Sequence, residues 1–154
     1  MKRFFITILL VSVLLTLTFY CSKKEGNEKH LAAKEIHWIE NIDEAFALAE
    51  EQNKPLMIDF TATWCPPCRM MEDSTFSNPN VIKKTGAFIT VRIDVDKQGD
   101  IANQFNSNAG KYGGIGIPNI LFLDKNRNKL KHPIGYKDPE TLIAIMDSVL
   151  IMLE

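Results

Sequence analysis

The stretch Pro55-Leu56-Met57-Ile58-Asp59-Phe60-Thr61-Ala62-Thr63-Trp64-Cys65-Pro66-Pro67-Cys68-Arg69 decides how the rest of the chain is read. Leu56 to Thr61 is a short apolar run bounded by Pro55 and the cysteine turn, the pattern of a buried central strand. A helix is expected from Pro66, because prolines are tolerated in a first turn whose amides have no intrahelical acceptor. Cys65 and Cys68 are then about one helical turn apart at a strand-to-helix junction, close enough to exchange a disulfide with each other.

Working outward, Ile36, Trp38 and Ile39 form a short extended segment, and Asn41 or Asp43 caps a helix to about Gln52 with Ile42, Ala45, Phe46 and Ala49 on one face. Met70 and Met71 continue the cysteine helix toward the core, with one of them bordering the substrate groove as the alternative, Asn78-Pro79 breaks the pattern, and Val81 to Lys84 is a short helical piece. Phe88 to Val95 alternates and is β-branched, as a strand does. Asp100 to Phe105 reads as a short helix and Asn106 to Gly116 as loop. Asn119 to Leu123 and Lys129 to Tyr136 are strands joined by the turn Asp124 to Asn128, and Asp138-Pro139-Glu140 opens a terminal helix whose apolar stripe is core. Alternating helix and strand patterns followed by a hairpin and a helix imply an α/β fold, a central mixed β-sheet with helices on both faces.

The chain has 154 residues, room for one domain, and a formal net charge of -1. That charge lacks the basic surface of a nucleic-acid binder. Its first part is a different material: Lys2-Arg3, an uncharged run from Phe4 to Tyr20, then the polar stretch from Cys21. Residues 1–21 are the pattern of an export signal, 22–34 a flexible tether, and 35–154 the folded domain. Without Lys2 and Arg3 the charge of -1 becomes about -3, mildly acidic and soluble. Cys21, where apolar turns polar, resembles the lipobox cysteine of bacterial lipoproteins, although Thr18-Phe19-Tyr20 are bulkier than the small residues of that pattern. An uncleaved N-terminal anchor and simple secretion are the other two readings. All three place the domain outside the cytoplasm.

Phe60-Thr61-Ala62-Thr63-Trp64-Cys65-Pro66-Pro67-Cys68, followed by Lys111-Tyr112-Gly113-Gly114-Ile115-Gly116-Ile117-Pro118, resembles the thioredoxin family over about Ile36 to Leu153. Met71 to Val81 is similar to the C-terminal domain of the membrane reductase DsbD and its stand-alone relatives. The resemblance implies a thioredoxin fold and a thiol-disulfide oxidoreductase. Cys65 is the exposed attacking thiol and Cys68 the resolving thiol, with Trp64 covering the pair. Asp59 matches the family's buried acid beneath the disulfide, and Arg92 stands where the family often has lysine. Ile117-Pro118 matches the cis-proline element, which leaves the Ile117 backbone free to pair with a substrate peptide. Thiolate stabilisation at a helix N-terminus supports the role of Cys65 independently.

No cofactor is required beyond the redox-active Cys65–Cys68 disulfide. A zinc site lacks ligands, since His30, His37 and His132 are scattered and read as solvated or packing residues. A purely structural disulfide is the lesser alternative to redox activity for these cysteines. The rival function is a non-catalytic thioredoxin-fold module that binds peptides or acts as a chaperone beside Pro118. The expected partners are protein thiols and disulfides, a membrane or periplasmic redox partner, and the membrane itself through the N-terminus, with the domain in the cell envelope. Resemblance to DsbD favours a reductant or electron relay.

Overall fold

The computed structural model describes residues 34–154. The residues read as an export signal, Cys21 included, and nearly all of those read as a tether lie outside the described residues.

Four strands form one sheet in the order β2-β1-β3-β4. The central strand β1, Leu56–Thr61, runs parallel to β2, Ile89–Asp94, and antiparallel to β3, Asn119–Leu123, which pairs with β4, Lys129–Lys131. The sheet is therefore mixed, and its strands alternate side chains between two cores. Leu56, Ile58 and Phe60 join Phe46, Ala49, Val91, Ile93 and both cysteines on one face. Met57, Ile120 and Phe122 join Met71, Val81, Leu142, Met146 and Val149 on the other.

The first face is covered by α1, Ile42–Gln52, whose Asn41 side chain accepts hydrogen bonds from the amides of Asp43 and Glu44 and so starts the helix. The second is covered by α5, Pro139–Ile151, capped by Asp138 on the amide of Thr141. Between them come α2, Pro66–Met70, α3, Pro79–Thr85, and α4, Gly99–Gln104. Among the described residues, no helix is long and apolar enough to cross a membrane.

Three local expectations change. Met71 is buried, but Met70 is 55% exposed. Successive helical residues are turned by about 100°, so only one of the two can face the core. The cysteine helix also widens into a π-helical segment, Met71–Phe76, where the hydroxyls of Ser74 and Ser77 donate to the carbonyls of Met70 and Asp73. Finally, the expected strand from Lys129 to Tyr136 ends at Lys131. Pro133 has no N–H to continue the ladder and Gly135 takes φ +80°, leaving a single bridge between Asn119 and Ile134.

Candidate active site

Cys65 is the N-cap of α2 and Pro66 and Pro67 fill the first two helical positions. The Cys68 amide, the first N–H the prolines leave available, donates to Cys65 Sγ at 3.3 Å. Cys65 and Cys68 form a disulfide with an S–S distance of 2.03 Å and a Cα–Cα distance of 5.3 Å. The amide aimed at Cys65 Sγ and the start of the helix both favour negative charge there once the bond is reduced, so the Cys65 thiolate is the stabilised one.

Neither cysteine is open in this state. Cys65 is 2% exposed and Cys68 6%, which corrects the expectation of an exposed Cys65. The oxidised pair is packed into the apolar core beside Phe60, Ala62 and Ala109, so the N-cap position, not exposure, distinguishes Cys65. Cys68 lines a cavity of about 430 Å³ together with Thr61, Arg69, Glu72 and Arg92.

The buried carboxyl and the guanidinium beside it come from neighbouring strands. Asp59 and Arg92 face each other in the β1/β2 register, and Arg92 Nε donates to Asp59 Oδ2 at 3.1 Å. Arg92 Nη2 donates in turn to Glu72 Oε2 at 2.5 Å, while its guanidinium lies 4.2 Å from the centre of the Trp38 ring. Burial pushes the Asp59 pKa up to about 6; Arg92 opposes that shift without cancelling it. Arg92 therefore does not hold Asp59 in the ordinary carboxylate range, and the acid titrates close to neutrality. Glu72 was not singled out from the sequence; its signal is the position four residues after Cys68, one turn along the same helix.

Trp64 is held from the side. Its indole N–H donates to Asp96 Oδ2, Tyr112 donates its hydroxyl to Asp96 Oδ1 at 2.6 Å, and Lys111 Nζ sits 3.6 Å from the centre of the Trp64 ring. These bonds, that from Tyr112 foremost, lower the Asp96 pKa. Arg69 ties the same turn down by donating to the Thr63 carbonyl at 2.8 Å. The Ile117–Pro118 peptide is cis, and Ile117 packs against the core cluster that contains both cysteines. Among the described residues, no group of three or more His, Cys, Asp and Glu side chains is placed to hold a metal ion.

A family model described as thioredoxin-like matches residues 37–125. The thiol:disulfide interchange protein DsbD of Escherichia coli is 32% identical over 124 residues, covering 76% of this chain and 20% of the relative. The chain thus spans about a fifth of the length of that relative. Among solved structures, the oxidoreductase DsbH superposes with a TM-score of 0.62 at 17% identity, covering 85% of this chain and 95% of the other. The reduced C-terminal domain of Neisseria meningitidis DsbD superposes with a TM-score of 0.55 at 21% identity, covering 68% and 90%. Both show the thioredoxin fold.

Proposed function

Since the chain belongs to the thioredoxin-like family, we propose that it is a thiol-disulfide oxidoreductase that acts on protein disulfides through Cys65 and Cys68, as a reductant or electron relay at the cell envelope. One observation carries the reading: the Cys68 amide points at Cys65 Sγ at the start of a helix, which selects Cys65 as the thiolate.

The reaction runs from the reduced pair. Cys65 thiolate attacks one sulfur of the substrate disulfide, that S–S bond breaks, and the second substrate sulfur leaves as thiolate. Cys68 then loses its proton and attacks Cys65 Sγ, closing the Cys65–Cys68 disulfide and releasing the first substrate sulfur. Two electrons pass to the substrate, whose two thiolates take up two protons. Asp59, with a pKa of about 6, is the buried group suited to accept the Cys68 proton, by way of the Arg92 and Glu72 side of the cavity. Return to the reduced state needs a dithiol donor, so a reductase partner is part of the reading.

The thiol:disulfide interchange relatives support thiol-disulfide exchange as the chemistry. The apolar leader and polar spacer ahead of the domain support export and a tether at Cys21. Insulin-disulfide reduction under a supplied dithiol tests the activity: the native chain turns over, and Cys65→Ser does not. Equal, negligible turnover by both leaves the peptide-binding module standing instead. A reduction potential near about -270 mV marks a reductant, and one near about -120 mV a disulfide donor. Loss of lipid labelling in Cys21→Ser tests the tether, and unchanged membrane association of that variant sinks it.

A further inference from the structure

Behind the cis-proline loop lies a buried polar array that the thiol chemistry does not use. Asn119, the residue after Pro118, is fully buried, and its Nδ2 donates to the carbonyls of Ser107 at 3.0 Å and Gly116 at 2.7 Å. Those two bonds use both amide hydrogens, which fixes the orientation of the amide and leaves Oδ1 as an acceptor. His132 Nε2 lies 2.9 Å from that Oδ1 and 3.1 Å from Ser107 Oγ. An acceptor facing a ring nitrogen requires hydrogen on that nitrogen, so His132 is the Nε2–H tautomer. Its hydrogen is shared with Ser107 Oγ, whose own hydrogen is directed at the Phe105 carbonyl, 3.2 Å away. Burial, reinforced by Lys129, lowers the His132 pKa, which favours the neutral ring.

The array grips the loop on both sides of Ile117. On one side the Gly116 carbonyl is held by Asn119, and the Gly116 amide donates to the Asn108 carbonyl at 3.0 Å. Gly114 passes so close to Asn108 that a Cβ there would lie 2.2 Å from the Asn108 carbonyl oxygen. On the other side, the Pro118 carbonyl accepts from the Gly135 amide at 2.8 Å. Among the described residues, the N–H and C=O of Ile117 itself have no such backbone partner. The chain thus holds the unpaired N–H and C=O of Ile117 between fixed neighbours, and main-chain pairing to a pre-set edge binds an extended peptide at low ordering cost.

We propose that His132, acting through Asn119, is a positioning residue for the Ile117 backbone, and that it sets the preference of the Cys65/Cys68 pair for peptide disulfides over small ones. The inference rests on the oxidoreductase reading above. A histidine that merely filled space would affect every disulfide alike, whereas one that aligns a backbone edge matters only to substrates with a main chain to pair.

The pre-reduced full chain is mixed with insulin and, separately, with cystamine, and single-turnover rates are compared for the native protein, His132→Leu and His132→Gln. Cystamine has no peptide beside its disulfide and reports the thiol chemistry alone. His132→Leu is expected to lower the insulin-to-cystamine rate ratio about 5- to 10-fold, the scale of one lost hydrogen bond, with the cystamine rate unchanged. His132→Gln, whose amide can donate to Asn119 Oδ1, restores the ratio to within about twofold. An unchanged ratio in folded His132→Leu, or an equal loss on both disulfides, overturns the inference while the oxidoreductase reading stands. Native protein that reduces neither disulfide overturns both. A second readout needs no variant: nitrogen NMR of the native protein should find His132 as the Nε2–H tautomer, and the Nδ1–H tautomer contradicts the array.

Discussion

Two neighbouring residues of β1 face opposite ways and meet opposite surroundings. Phe60 is fully buried among Phe46, Val91, Ile93 and the disulfide, with Phe105 stacked at a tilt 6.1 Å away. Asp59, also buried, turns to the other face and finds Arg92, with Glu72 beyond it. One face gains free energy by removing apolar surface from water. The other gives some up, because a carboxylate out of water keeps its charge only at a cost. The same strand therefore carries both the stability of the fold and the group that destabilises it for the sake of a proton near neutral pH.

Breaking the apolar face should have the largest effect. Phe60→Ala is expected to cost about 3–5 kcal/mol, a large share of the stability of a domain this size, read as a fall in the urea midpoint. A change below about 1 kcal/mol would mean that the disulfide, not the packing, holds this region together.

Substituting the acid should act the other way on stability and strongly on rate. The folded pKa of Asp59, about 6, lies above the ordinary aspartate value of 3.8. The folded state therefore binds the extra proton, and the stability this group allows is full below about pH 4 and lost as pH rises through about 6, by roughly 3 kcal/mol. Asp59→Asn should remove that slope and raise stability by about 1–3 kcal/mol at about pH 8, seen in urea unfolding at several pH values. It should also slow the Cys68 step about 10²-fold, so that mixed disulfide with Cys65 accumulates in a quenched reaction. Unaltered release of that intermediate would remove Asp59 from the mechanism.

Arg92 sharpens the contrast. It is the influence that pulls the Asp59 pKa down, so Arg92→Met should move the inflection in the rate profile above about 6. An inflection that stays in place would assign it to another group. The smallest effect is expected on the outer surface of the apolar side, where Asn41→Ala removes the cap of α1 and costs about 1 kcal/mol with no change in rate.

Much of this was legible in the residues. Asn41 and Asp138 sit where short polar side chains start helices, and each caps one, whereas Asn78, read as part of a break, turns out to cap α3. The apolar run of β1 and the β-branched run of β2 placed the centre of the sheet, and the two cysteines and Ile117-Pro118 placed the site. The rest depends on partners distant in the chain. Whether Asp59 titrates near neutrality is decided by desolvation against Arg92, 33 residues away, and no local pattern weighs the two. The wiring of Asn119 to His132 likewise joins the first residue of β3 to the residue that follows β4. The π-helical turn left no composition signal, because it differs from an α-helix only in which carbonyl each amide reaches.

The central claim is that, of two equally buried sulfurs, the helix start makes Cys65 the nucleophile. Limiting iodoacetamide on the reduced protein, followed across pH by peptide mass spectrometry, tests it directly. The account predicts that Cys65 takes the label first, with a midpoint well below the ordinary thiol value of about 8.5. Label appearing first on Cys68, or on both at the ordinary thiol value, would contradict it.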